Sequence, residues 1–143
     1  MQVHGWKVST LAEGMIEQAK EAAGEGSRIR FNLATAEQLP FPDGEFDLIF
    51  STMTFHHWAD QPRSIVEIAR VMTPSGRWIL ADFVATGILR YLRRLFRLRQ
   101  LPERRQLDAT LAAAGLGVVA ELRVQQRISV LAIGRDAATI ATA

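Results

Sequence analysis

LPFPDGEFDLIFSTMTFHHWADQP, Leu39 to Pro62, is the stretch that decides the fold. Pro42-Asp43-Gly44 reads as a turn, because proline presets φ, aspartate bonds the backbone locally and glycine supplies a positive φ. FDLIFS, Phe46–Ser51, then runs apolar with a single charge at Asp47. A strand buried on both faces of a parallel sheet has that composition. Two adjacent histidines and Trp58 follow, and then Asp60 ahead of Pro62, which fits a helix cap with proline in the first turn. Ile65, Ile68, Ala69 and Met72 make a helical stripe that Pro74 stops, since the residue before proline disfavours helix. Strand, loop and helix make one βα unit.

The flanks repeat the alternation. WKVS (Trp6–Ser9) is a strand candidate, and Met15, Ile16, Ala19 and Ala22/Ala23 recur at helical spacing until Gly24 and Gly26. Thr10-Leu11-Ala12-Glu13 matches a capping box. RIRFNL (Arg28–Leu33) alternates as a strand, and RWILADFV (Arg77–Val84) is another buried one. Ile88–Gln100 and Arg104–Ala114 carry helical patterns, with Gly115 placed to end the second. GVVAELRV and RISVLAIGR are close enough to pair antiparallel, and the tail Asp136–Ala143 is expected to fray. The pattern predicts an α/β fold with a three-layer, mostly parallel sheet and a C-terminal antiparallel hairpin.

Composition narrows the class. With 143 residues, 48% hydrophobic and 22% charged, the chain reads as one globular domain, 1–143, large enough for a real core. It has no cysteine, which excludes a disulfide scaffold, a Cys-ligated zinc and a thiol nucleophile. MQVHGWKVST is no signal peptide and no stretch reaches transmembrane length, so a cytoplasmic protein is expected.

Charge is unevenly spread: residues 1–83 hold seven Lys and Arg against eleven Asp and Glu, and residues 84–143 hold ten against four. Most of the basic excess lies in 88–105, where Ile88, Leu89, Leu92, Leu95, Phe96 and Leu98 interleave with arginines. Three readings stand for this segment: a solvated cover of the sheet, an amphipathic helix on an anionic membrane through Ile88–Arg99, or a phosphate binder. No motif for specific nucleic-acid readout accompanies it.

In an open parallel sheet, ligands sit beyond the carboxyl ends of the strands. Those ends carry Ser9–Thr10, Thr35-Ala36-Glu37, Ser51-Thr52-Met53 and Asp82-Phe83. AEQLPFPDGEFDLIFSTMTFHHWADQPRSIVEIARVMTPSGRWILADF, Ala36 to Phe83, resembles the core of the class I S-adenosylmethionine (SAM)-dependent methyltransferases, in the subgroup acting on small molecules and quinone precursors. The upstream AEGMIEQAKEAA is similar to the helix after that fold's second strand. The resemblance implies a Rossmann-like domain, SAM as cofactor and a small-molecule methyl acceptor as partner. It places the Thr10-Leu11 pair at the ribose, Thr35-Ala36-Glu37 at the adenine, and Ser51, Thr52, Met53 and His56 beside the methionine end of the cofactor.

Against that family, Thr10 and Thr35 stand where acidic residues are expected, and a threonine makes no bidentate charged hydrogen bond. The first strand unit with its glycine-rich loop has no counterpart, since nine residues precede Thr10. Weak or absent cofactor binding is therefore expected, and a non-catalytic module that kept the sheet is the competing reading. The gap between the Trp6–Ser9 and Phe46–Ser51 strands should close by direct pairing, or else be filled through another chain, as in a homodimer.

Each candidate also has a plain structural role. Thr10 caps a helix, Glu37 holds a turn, and Asp82 either caps a loop or orients a substrate. His56 and His57 are not expected to ligate a metal, because adjacent side chains point apart and His4 is distant in sequence. The lip of a cofactor pocket and a helix-entry loop packed by Trp58 remain for them.

Overall fold

The computed structural model describes residues 7–10, 13–24, 27–83, 103–124 and 128–135. In chain order these form β1 (Lys7–Thr10), α1 (Glu13–Ala23), β2 (Arg30–Leu33), β3 (Phe46–Thr52), a 3₁₀ turn (Phe55–His57), α2 (Gln61–Val71), β4 (Met72–Phe83), α3 (Arg104–Ala113), β5 (Gly117–Val124) and β6 (Ile128–Gly134). The segment Ile88–Gln100, Leu11 of the capping box and the tail lie outside the described residues.

The expected alternation is present, but in two sheets. β1 and β2 pair in parallel, from Lys7 opposite Arg30 to Thr10 opposite Leu33. The second sheet has the order β3-β4-β6-β5. In it β3 and β4 are parallel, while β6 runs antiparallel to both β4 and β5, so the C-terminal hairpin forms as read. Direct closure of β1 onto β3 does not occur: among the described residues β1 pairs only with β2 and β3 only with β4. β3 is fixed by its six-position ladder with β4 and β1 by its four-position ladder with β2, so neither strand shifts to meet the other.

The end of α2 shows why β3 and β4 sit where they do. The last four carbonyls of a helix have no partner inside it. Here the Ile68 carbonyl accepts from Met72 N, where the chain turns into strand. Ala69 O accepts from the Arg135 guanidinium at 2.7 Å. Arg70 O and Val71 O accept from Gly44 N at 2.9 Å and Glu45 N at 2.8 Å. Gly44 donates from the tip of the Pro-Asp-Gly turn at φ 62°, a conformation that costs glycine nothing. β4 therefore starts at Met72, five residues before the sequence pattern placed it. Its first residues bulge against β3, where the register jumps between Phe46 and Leu48, and the bulge accommodates Pro74.

Alternation along β4 sorts the two faces of the larger sheet. Trp78, Leu80, Leu131, Ile133 and Val118 point one way, into a core closed by Ile65, Ile68 and Ala69 of α2 and Leu107 and Leu111 of α3. α3 ends as expected, with Gly115 at φ 71° and Leu116 N returning to Leu111 O at 2.9 Å. The opposite face carries Leu48, Phe50, Leu122 and Val124, exposed at 45%, 54%, 65% and 40%.

Gly76 marks the tightest approach in the bulge. A Cβ there would lie 2.9 Å from the Phe46 carbonyl oxygen and closer still to Met72 Cγ. Gly76→Ala should therefore destabilise the domain by about 1–3 kcal/mol, the range for overpacking a filled site. Urea unfolding checks this, and wild-type stability in the variant would mean that the bulge yields.

Candidate functional site

The parallel β3–β4 register decides which side chains meet beyond the strand ends. Thr52 lies opposite Ala81. The next backbone N–H, that of Met53, donates to Ala81 O at 2.8 Å. The chain then turns sharply, for Met53 holds φ 53°, a left-handed conformation that a residue with a Cβ adopts at a cost of roughly 1–2 kcal/mol. Strain of this kind collects at functional sites. The turn delivers Phe55–His57 directly over the end of β4.

There His56 meets Asp82. The ring Nδ1 lies 2.6 Å from Asp82 Oδ1, and the backbone N–H of His56 donates to Oδ2 at 3.3 Å. Asp82 is 1% exposed and His56 17% by side chain, so a buried carboxylate holds an imidazole that reaches solvent. A buried charge is stable only when paired and hydrogen-bonded. With Nδ1–H bonded to the carboxylate, the lone pair sits on Nε2. The His57 ring packs against His56 with centroids 3.9 Å apart. Below the turn, Phe55 is buried against Trp58 and Trp78, at 5.0 and 6.0 Å between centroids.

The remaining candidates are distributed as follows. Thr10 is the last residue of β1, and Leu11 lies outside the described residues. The Ser51 hydroxyl faces the core, where it accepts from Trp78 Nε1 at 2.8 Å. Thr52 and Met53 are exposed. Thr35 through Gln38 form a tight turn, with Gln38 N bonded to Thr35 O at 3.3 Å. The Glu37 carboxylate turns toward α2, taking the Asp60 N–H at 3.1 Å. Burial pushes the Glu37 carboxyl up, but hydrogen bonds from the backbone of Asp60, Glu37 and Ala59 and from the Thr35 hydroxyl outweigh it and hold the group below its ordinary value.

A second carboxylate fastens the same loop further along. Glu67 Oε1 accepts from Leu39 N at 2.9 Å. Arg70 donates to both oxygens of Glu67, to Asp43, and to the carbonyls of Phe41 and Leu39. Its hydrogen bonds to Glu67 and Asp43 push the guanidinium further up. The same Arg70 contact, ahead of the opposing effect of burial, holds the Glu67 carboxyl down. Sequence reading missed this clamp and the His56–Asp82 pair alike, because each joins residues 26 or more apart, the pair through sheet register and the clamp through the docking of α2 on the loop before β3. The signal was present in the strand ends: two parallel neighbours bring the residues just past Ser51 and just past Ala81 together.

Among the described residues no group of His, Cys, Asp and Glu could hold a metal ion. At the strand ends the structure sets the half-buried Thr35–Gln38 turn, bonded to the start of α2 through Glu37, and the strained Met53 turn at the end of β3.

The model of a methyltransferase domain matches residues 8–80. An uncharacterized methyltransferase, YcgJ, of Bacillus subtilis is 41% identical over 73 residues, covering 50% of this chain and 29% of that protein. The demethylmenaquinone methyltransferase of Deinococcus radiodurans is 35% identical over 97 residues, covering 66% of this chain and 40% of that one. The crystal structure of the Bacillus YcgJ protein superposes with a TM-score of 0.74 at 29% identity, over 84% of this chain and 55% of the other. The matches thus span less than half the length of those curated relatives.

The clamp has a pH signature. A carboxyl held below its ordinary value stabilises the fold fully above its unfolded value and loses that contribution as pH falls through the folded one. The stability difference between wild type and Glu67→Gln should be constant above the ordinary 4.5 and shrink below it. Urea titrations at several pH values measure this, and a difference that grows in acid would refute the assignment.

Proposed function

The chain belongs to the SAM-dependent methyltransferases of the methyltransferase-domain family, and from that premise we propose that it methylates a hydroxyl group of a small molecule, with His56 as general base. SAM is the cofactor of this family. The observation that supports the base is the buried Asp82 carboxylate on His56 Nδ1 at 2.6 Å. A carboxylate there keeps the imidazole in one tautomer, aims Nε2 outward and stabilises the imidazolium once the proton has been taken. When bound, SAM supplies the electrophilic methyl group. Thr10, Leu11, Thr35, Ala36 and Glu37 are proposed to hold its adenosine half, and Thr52, Met53 and the His56 loop its methionine half. Ser51 contributes by fixing the strand end through Trp78. Phe55 and Trp58 exclude water beneath the histidine, which strengthens its bond to Asp82.

The affinity expected for this grip is low. Each charged hydrogen bond to the cofactor that a threonine does not make forfeits about 1.5–3 kcal/mol, a factor of about ten to a hundred in binding. Calorimetry with SAM and S-adenosylhomocysteine should give dissociation constants weaker than micromolar. With a phenolic or sugar hydroxyl as acceptor, His56→Ala and Asp82→Asn should each slow methyl transfer roughly 10²- to 10⁴-fold while the cofactor affinity stays within a few-fold. No heat from either ligand at millimolar concentration would overturn the reading.

A second reading rests on the apolar face of the larger sheet. Leu48, Phe50, Leu122 and Val124 stand exposed across it, as befits a module whose work is association with a second copy or an anionic membrane rather than catalysis. The basic segment Ile88–Arg99 would make the membrane contact. Liposomes with anionic lipid should then retain the protein at low salt and release it at high salt. Equal retention by neutral liposomes would remove this reading.

A further inference from the structure

We propose that Glu37 is a positioning residue for His56, bracing the loop that carries the base against the turn on the adenine side. This rests on the reading above, in which His56 accepts the proton. Phe55–His57 is a single turn, entered through the strained Met53 and left through Trp58-Ala59-Asp60. From below, Phe55 anchors it in the core at 1% exposure. On one side Asp82 takes both the ring and the backbone N–H of His56. On the exit side, Gln61 Nε2 donates to the Phe55 carbonyl at 3.1 Å, and the Glu37 carboxylate accepts the Asp60 N–H at 3.1 Å.

Asp60 is no free point of the loop. Its own carboxylate caps α2 through Arg63 N at 3.0 Å, and its carbonyl accepts from Ser64. Glu37 therefore ties the histidine turn at the residue where it becomes rigid helix. Its own turn is fixed as well: Gln38 N donates to Thr35 O at 3.3 Å, and Leu39, two residues past Glu37, is held by Glu67. Thr35 and Ala36 are the residues proposed to meet the adenine. One carboxylate thus spans the two loops that must be in register for an acceptor oxygen to lie in line with the methyl group. A misplacement near 1 Å costs methyl transfer about a hundredfold.

The test compares Glu37→Ala and Glu37→Gln in the full chain by two readouts. In ¹⁵N–¹H spectra of the histidine rings, wild type should show His56 as one tautomer with a protected Nδ1–H. Glu37→Ala should lose that protection and average the tautomers, while its circular dichroism stays that of wild type. Glu37→Gln keeps an oxygen for the Asp60 N–H and should restore the His56 signals. With acceptor present and SAM at saturation, Glu37→Ala should lower kcat roughly 10- to 100-fold, and Glu37→Gln should recover most of it. His56 signals in Glu37→Ala that overlay those of wild type, with the Asp60 amide exchanging freely, would overturn the proposal. The spectra decide this without turnover, so a wild type that transfers no methyl group would count against the function alone.

Discussion

The carboxyl end of α2 is the constraint on which the other elements depend. Four orphan carbonyls there are taken by three different parts of the chain: the first residue of β4, Gly44 and Glu45 at the Pro-Asp-Gly turn, and Arg135 just past β6. A buried carbonyl left alone costs about 1–3 kcal/mol, so these partners are not interchangeable with solvent. Once they are in place, β3 must leave the turn alongside β4, and the end of β6 must return to the same corner. The Arg70 side chain then adds a second layer, binding the backbone of Leu39 and Phe41 from the same helical turn. The position of the loop before β3 is thus set by the helix after it.

Much of this was legible in the sequence because it depends on local chemistry. The Pro42-Asp43-Gly44 turn, the Asp60 cap with Pro62, the Gly115 terminus and the β5–β6 hairpin each follow from residue types within a few positions. What was not legible depends on register. The β4 strand begins at Met72 rather than Arg77 because the ladder with β3 absorbs Pro74 in a bulge, and nothing in MTPSG announces that. The direct pairing expected of β1 and β3 failed for a related reason. Edge protection argues for closure, but β3 stays in register with β4 and β1 with β2.

The site divides along the same line. His56 was picked out as a residue at a strand end, yet its partner Asp82 is 26 positions away and reaches it only through the parallel register. Glu37 was read as a ligand-side acid or a turn holder; its carboxylate in fact crosses to the next loop. Ser51, also read as a site residue, shows how period-two alternation decides such questions. Counting from Ile49, which packs against the core, Ser51 shares the inward face, and its hydroxyl meets Trp78. Thr52, one residue on, faces out.

Two kinds of rigidity therefore meet at the strand ends, and they differ in origin. The His56–Asp82 pair stands on a packed core: Trp78 and Leu80 are fully buried on the strand that carries Asp82, and Phe55 is buried one residue before His56. Core packing tolerates little displacement, so His56 inherits its precision from the hydrophobic interior. The turn before β3 has no such foundation. Thr35–Gln38 is half-buried loop whose place is set by polar bonds to α2 from Glu37, Glu67 and Arg70. Polar bonds between partly exposed groups are individually worth about 1 kcal/mol, which makes that half of the site the softer one. A chain with this division holds the His56–Asp82 pair in place more firmly than it holds the Thr35–Gln38 turn.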